Sequence, residues 1–510
     1  MVPVITVHVG LARLECTSLL DTPGKSACAT WAKVEIMRFL LAVAAASLVF
    51  GQPSPIQERI RAVESGLTPG VVLKGRPIPR STIEERMKAL HVRGVSVAII
   101  QNYDVEWAKG YGFADLEAKR PVTTETLFQA GSISKPVAAV AAMKLVEQGK
   151  LRLDEEVNTF LKTWKLPDNE FTKEQKVTLR RIMSHSAGLT VHGFPGYAAG
   201  EPVPSLVEVL DGKKPANTAA IRVDILPGTQ FRYSGGGYTI MQLAMIDVTG
   251  ETFPALMQEL VLSKAGMSHS TYEQPLPSAL ASVAASGYRS NGDAVAGRYH
   301  TYPEMAAAGL WTTATDLARF AIEIQKSREG QSNKILTKAT VEEMLREQKK
   351  PYGLGFSLED VGGSSRFGHG GADEGFQALL SGTFDGQGFA IMANSDNGIK
   401  LANEIALAIS AAYHWPDKPR EREAVQLGAP ALAKFAGEYE APQIGKVQVR
   451  VSGEHLVITV EGEDIDWFLE SSTRAFALSG GLPDIEFKTD DKGAVTGFDV
   501  AGLHAKRLTQ

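Results

Sequence analysis

Cysteine is almost missing: the 510 residues hold two, Cys16 and Cys28, both near the N-terminus. The body of the chain can therefore build neither a disulfide framework nor a cysteine metal site. Charge of one sign is also missing as a feature. Lys and Arg number 53 against 58 Asp and Glu, a net of −5, and neither sign gathers into a block or stripe. Charge thus implies no nucleic acid and no anionic membrane surface as partner. The run "MRFLLAVAAASLVFG", Met37 to Gly51, has about a dozen apolar residues where a spanning helix needs about 20, so no stable membrane span is expected. There is no His-Glu-x-x-His, no P-loop or dinucleotide fingerprint and no carboxylate cluster at metal spacing, so no metal and no cofactor are expected. What is present is 44% apolar and 22% charged residues, enough to bury a large core over more than one domain. A small molecule is the expected partner.

The Met37–Gly51 run pairs one cation with an apolar stretch and closing small residues, the build of a secretory signal. Residues 1–36 then read as a non-native upstream extension and 37–51 as the signal, making the mature protein periplasmic or secreted. Downstream, "STIE" from Ser81 has capping-box spacing and opens a helix. "VSVAII" and "VEWAKGYGFAD" read as a hairpin, Thr313–Asp316 starts another helix, and strand character returns near residue 350. Helices in the middle and strands at both ends imply an α+β domain, an antiparallel sheet flanked by helices, over 52–415. Pro and charge across 416–432 read as a linker. From 433 to 510 alternating Val447, Val449, Val451 and Leu456, Ile458, Val460, with Trp467, Phe468, Phe476, Phe487 and Phe498 as core, predict a small all-β barrel or sandwich.

The stretch "QAGSISKPVAAV" puts Ser132 and Lys135 three apart at the mouth of an apolar helix, on one face. A serine there has free amides beside it, and becomes a nucleophile if a lysine of lowered pKa takes its proton. Alone, the pair is equally a capped helix start with a solvated lysine. Two distant features fit the catalytic alternative. Tyr233 lies in "FRYSGGGY", a polar, Gly-rich break before a helix, and His369 ends a strand in "FGHGGADEGF", where Gly370 and Gly371 let a substrate approach the backbone.

In this order, the three motifs resemble the serine β-lactamase and penicillin-binding-protein superfamily. The nearer likeness is to its class C branch: class C β-lactamases, D-aminopeptidases, D,D-peptidases and family VIII carboxylesterases. "LFQAGSISK", "LRRIMSHSAGL", "PGTQFRYSGGGY", "AAAGLWTTATDLARF", "YGLGF" and "GHGGADEGF" carry the likeness over about residues 75–412. The tail resembles the lipocalin-like β domain that follows some of these enzymes. The resemblance implies a β-lactamase/transpeptidase-like fold with a helical subdomain, Ser132 as the acylated nucleophile, Lys135 as its proton partner and Tyr233 as general base. It implies an oxyanion hole from the Ser132 and Ala372 amides, with His369, Gly370, Gly371 and Gly235 around the substrate. One departure stands out: the family's Tyr-x-Asn is here Tyr233-Ser234-Gly235, and His369 stands where β-lactamases carry a lysine.

The expected function is an exported serine hydrolase acting on an ester or on the amide of a D-amino acid or small peptide. The alternatives are class C β-lactamase or D,D-carboxypeptidase activity, and a catalytically decayed binding or scaffold protein. Self-association is left open. Two look-alikes are set aside. Ser186 in "SHSAG" lacks a preceding strand, with His185 read as capping or packing, and Lys488-Thr489-Asp490 lacks the glycine of a Lys-Thr-Gly box.

Overall fold

A computed structural model describes residues 54–442, 445–460, 463–478 and 482–508. The upstream extension, the signal, Cys16 and Cys28 lie outside the described residues. The chain divides into units 1–57 and 58–510; of the first, only 54–57 are described, the start of a helix Pro55–Glu64. All that follows concerns the second.

Its strands are β1 (Val71–Leu73), β2 (Gly94–Gln101), β3 (Asp104–Asp115), β4 (Arg120–Pro121), β5 (Phe128–Gln129), β6 (Trp311–Thr312), β7 (Ser357–Val361), β8 (Ser364–Asp373), β9 (Phe376–Thr383), β10 (Gly388–Ala393) and β11 (Arg420–Arg422). Seven of them make one sheet in the order β4-β3-β2-β10-β9-β8-β7, with antiparallel pairing throughout. The expected α+β sheet with strands from both ends of the domain is what forms. β2 and β10 are apolar at nearly every position because both faces are covered. The helix Gly398–Tyr413 packs on one face and the helix Ala314–Arg328 on the other, the situation in which a strand loses its polar alternation.

The first capping box sits one residue later than the sequence suggested. Thr82 caps the helix Ile83–Ala89, its hydroxyl accepting the Glu85 amide at 3.1 Å while the Glu85 carboxylate accepts the Thr82 amide at 2.8 Å. Thr313 caps as expected, accepting the Asp316 amide at 3.0 Å. The central helix, Ser134–Glu147, is buried from Ser134 through Met143, which accounts for a sequence apolar on every side.

The tail is a closed barrel of eight strands: β12 (Gly437–Ala441), β13 (Gly445–Ser452), β14 (His455–Val460), β15 (Glu463–Leu469), β16 (Arg474–Ala477), β17 (Ile485–Thr489), β18 (Val495–Val500) and β19 (Leu503–Arg507). Closure removes the sheet's free edges. Val447, Val449, Leu456, Ile458, Trp467, Phe487 and Phe498 fill it. Phe468 and Phe476 do not: they are cross-strand partners on the outer face, Phe476 covered by the Arg422 guanidinium at 4.2 Å and Phe468 by the stacked His455 ring at 5.0 Å. Arg422 itself forms hydrogen bonds with Glu470 and Asp484. The stretch read as linker therefore contains ordered structure. β11 pairs in parallel with β1, register Val71↔Arg420 to Leu73↔Arg422, and the Val71 amide donates to Leu478 of the barrel at 3.3 Å.

Candidate active site

Residues 131–133 form a 3-10 turn leading into the central helix, which starts at Ser134. Gly131 has φ of +51°, and a Cβ there would lie 2.4 Å from the Ala372 nitrogen. At Gly371 a Cβ would lie 1.9 Å from the Ala130 carbonyl oxygen. Only glycines let the turn press backbone to backbone on β8, and this contact brings the Ala372 amide beside the turn that carries Ser132. Ser134 pins the turn, its hydroxyl donating to Gly131 O at 2.6 Å and accepting the Leu310 amide at 2.9 Å.

Lys135 is 1% exposed. Its Nζ donates to Ser132 Oγ at 2.8 Å and to the Ala307 carbonyl at 2.8 Å, and lies 5.0 Å from the Tyr233 ring centroid. Burial drives its pKa down to about 7, with Asp373 pulling the other way. A lysine that is half neutral near pH 7 can take a hydroxyl proton, which an exposed lysine cannot.

Tyr233 precedes the helix Gly235–Thr249, capped by Ser234, which accepts the Gly237 amide at 3.1 Å. Burial raises the Tyr233 phenol well above its ordinary range, although a hydrogen bond with Ser132 pulls it down. It is thus a protonated donor at neutral pH. The three glycines after Ser234 answer to close packing. A Cβ would lie 3.0 Å from the His192 oxygen and the Phe194 ring at Gly235, 2.8 Å from the Thr190 oxygen at Gly236, and 3.2 Å from Leu189 at Gly237. The seat of the family's asparagine is occupied.

His369 is 5% exposed. Its Nδ1 donates to Gly370 O at 2.5 Å, since a carbonyl only accepts, which leaves Nε2 to face the Tyr352 hydroxyl at 3.4 Å. Burial and then Lys135 push its pKa to about 3. The residue in the lysine's place carries no charge. Gly370 and Ala372 are the exposed backbone positions of this strand end, while Gly371 is buried.

Four side chains join the site that the sequence did not single out for it. His185 is 2% exposed, stacks on Tyr233 at 4.1 Å between centroids, and accepts the Ser234 amide on Nδ1 at 3.1 Å. It was expected to cap or pack, and its place against the phenol comes from a contact with no local signal. Tyr352 meets the His185 ring edge to face at 4.9 Å. Asp373 and Glu304 are buried carboxyls whose oxygens lack hydrogen-bond partners. Burial pushes Glu304 to about 8 and Asp373 well above the carboxylate range, against the pull of Lys135. A buried carboxyl facing the nucleophile's lysine, Asp373 in "GHGGADEG", and a second facing Asp373 in turn, Glu304 in "PEMAAAG", were visible only as composition. The look-alikes are otherwise engaged: Ser186 Oγ meets Ser184 Oγ at 3.0 Å after the helix Leu179–Met183, and Lys488 pairs with Asp499 at 3.0 Å on the barrel. Among the described residues no group of three His, Cys, Asp or Glu could hold a metal ion, and no helix is long and apolar enough to cross a membrane.

Residues 79–414 match the model of the Beta-lactamase family, and residues 421–509 match a domain of unknown function, DUF3471. A beta-lactamase of Pseudomonas fluorescens is 28% identical over 248 residues, 48% of this chain and 63% of that protein; the match thus spans less than two thirds of that relative. The putative penicillin-binding protein PbpX of Bacillus subtilis is 26% identical over 62% of this chain and 75% of its own. Among solved structures, the octameric penicillin-binding protein homologue from Pyrococcus abyssi superposes with a TM-score of 0.59 at 24% identity, covering 83% of this chain and 98% of that one. SurE with D-Leu gives 0.52 at 22% identity, covering 84% and 97%. The chain belongs to the Beta-lactamase family, within the serine β-lactamase and penicillin-binding-protein superfamily.

Proposed function

We propose that this member of the Beta-lactamase family is an exported hydrolase, periplasmic or secreted, that cleaves an ester, or an amide of a D-amino acid or small peptide, through an acyl-enzyme on Ser132. The observation that carries the reading is the 2.8 Å contact of a fully buried lysine amine with the Ser132 hydroxyl. Neutral Lys135 takes the Ser132 proton as Oγ attacks the substrate carbonyl. The Ser132 and Ala372 amides hold the developing oxyanion. Lys135 passes its proton through the Tyr233 hydroxyl to the leaving group, and the same pair, run in reverse, activates water to release the acid. Tyr233 is the protonated relay in this scheme and Lys135 the base, because burial separates their proton affinities in that direction. We take 52–415 as the hydrolase domain, 416–432 as the connection and 433–510 as the barrel domain, with the signal at 37–51.

Two features support ester or simple amide substrates over β-lactams. His369 is neutral, so no cation stands there for a β-lactam carboxylate, and position 235 has no amide side chain. The experiment is a panel of p-nitrophenyl butyrate, D-alanine p-nitroanilide and nitrocefin, with fluorophosphonate labelling read by intact mass. Turnover of the first or second with stoichiometric label, both lost in Ser132→Ala, is the expected result. An unlabelled wild type that binds cell-wall fragments without turnover would make the chain a binding protein instead. Self-association, as in the octameric Pyrococcus abyssi homologue, belongs to the same proposal and is checked by sedimentation.

A further inference from the structure

The segment Thr190–Gly196 wraps the Tyr233 turn. Val191 has φ of +63°, a conformation that a β-branched residue adopts only under constraint. Its carbonyl accepts the Gly236 amide at 3.1 Å and the Ser234 hydroxyl at 3.3 Å. The next carbonyl, His192 O, accepts the Gly235 amide at 2.9 Å. On the other flank the Asn217 amide donates to Gly196 O at 2.8 Å and the His300 ring meets Pro195 O at 2.9 Å. A segment tied at both ends presents Phe194 at one place, with a ring carbon 3.0 Å from where a Cβ of residue 235 would stand. His192 lies against Tyr233 at 4.8 Å between ring centroids. The wall beside the phenol that contacts Ser132 is thus the His192 ring and, next to it at position 235, the partly exposed Phe194 ring, with no side-chain donor or acceptor at position 235 itself.

We propose that Phe194 is the specificity-determining residue of the acyl pocket, and that the pocket takes acyl groups that are hydrocarbon next to the scissile carbonyl and disfavours those carrying an acylamino group there. The inference rests on acylation at Ser132. An acylamino group laid on a ring loses its water and gains no partner, a cost that hydrocarbon avoids. Pocket contacts of this size discriminate by about 10–200-fold.

The test compares kcat/KM for p-nitrophenyl butyrate and the p-nitrophenyl ester of N-acetylglycine, with active sites titrated by fluorophosphonate in every protein. The wild type should prefer butyrate by about tenfold or more. Phe194→Leu should keep the preference, Phe194→Ala should reduce it about tenfold, mainly through KM for butyrate, and Phe194→Ala/Gly235→Asn should reverse it. Gly235→Asn alone should lower activity on both esters, because its Cβ meets the ring. A wild type that labels at Ser132 but favours the acetylglycine ester, or a ratio unmoved in folded Phe194→Ala, overturns the role of Phe194 and leaves the hydrolase reading standing. A wild type that fails to label overturns the hydrolase reading itself. The wild-type ratio and Phe194→Leu decide the matter if the alanine variant does not fold.

Discussion

Replacing Lys135 with methionine should make the protein lose activity and change how its stability depends on pH. Lys135 is fully buried, with its pKa at about 7 against an ordinary 10.5. Below about pH 7 both folded and unfolded chains hold the lysine proton, so it contributes no slope. Between about 7 and 10.5 the unfolded chain holds more of that proton, and the unfolding free energy rises with pH. Through the linkage relation, keeping the lysine in the fold costs about 4 kcal/mol at pH 7 and about 2 kcal/mol at pH 9. Lys135→Met removes that cost but strands the Ala307 carbonyl, a loss of about 1–3 kcal/mol that does not vary with pH, while the Ser132 hydroxyl keeps Tyr233. The pH dependence isolates the lysine. Urea unfolding of both proteins at pH 7 and 9, followed by tryptophan fluorescence, should show the wild type gaining about 2 kcal/mol on the variant over that interval. The same titration predicts a wild-type kcat/KM that rises with pH through about 7, as neutral Lys135 becomes available. A stability gap that stays constant from pH 7 to 9 would refute the argument, since it would mean that folding does not change the protonation of Lys135 there.

His185→Asn keeps an acceptor for the Ser234 amide but loses the ring on Tyr233, so kcat/KM should fall about tenfold or more with little change in melting temperature, while His185→Leu should also lose about 1–3 kcal/mol of stability. Glu304, raised to about 8 by burial, is protonated in the fold across a range where the unfolded chain is ionised. Stability therefore falls as pH rises from about 4.5 to 8, and melts of Glu304→Gln at pH 5 and pH 8 should show the variant gaining on the wild type by about 3–4 kcal/mol. Arg422→Ala removes its hydrogen bonds to Glu470 and Asp484, which keep Arg474 as a partner, and uncovers Phe476. It should weaken the barrel by about 1–2 kcal/mol, read from tryptophan fluorescence in denaturant.

Local rules carried most of the architecture. The hairpin of β2 and β3, the Thr313 cap and the inward valines of β13 each follow from spacing within a dozen residues. Ser132 and Lys135 were legible for the same reason, since helical pitch alone puts them on one face. What escaped depends on partners far along the chain. β11 is three residues long and gains its order from β1, some 350 positions away. Phe468 reads as barrel core beside Trp467, yet adjacent residues on a strand face opposite ways, and Arg422 over Phe476 with His455 on Phe468 explains how an outward pair of rings is covered. Likewise "GGG" reads as a Gly-rich break beside Tyr233, whereas its cause is crowding by His192, Phe194 and Thr190.

The strand that precedes the seven-stranded sheet and the strand that follows it lie side by side, β1 against β11, and the first also touches the barrel at Leu478. The two domains therefore cannot be parted by a cut in the connecting stretch without damage. A chain ended at residue 415 would leave Val71–Leu73 as a bare apolar edge, open to pairing with another molecule. The connecting stretch and the barrel thus act as a permanent cover on their neighbour's seam, and their removal should open a new contact between copies of the chain before any question of substrate arises.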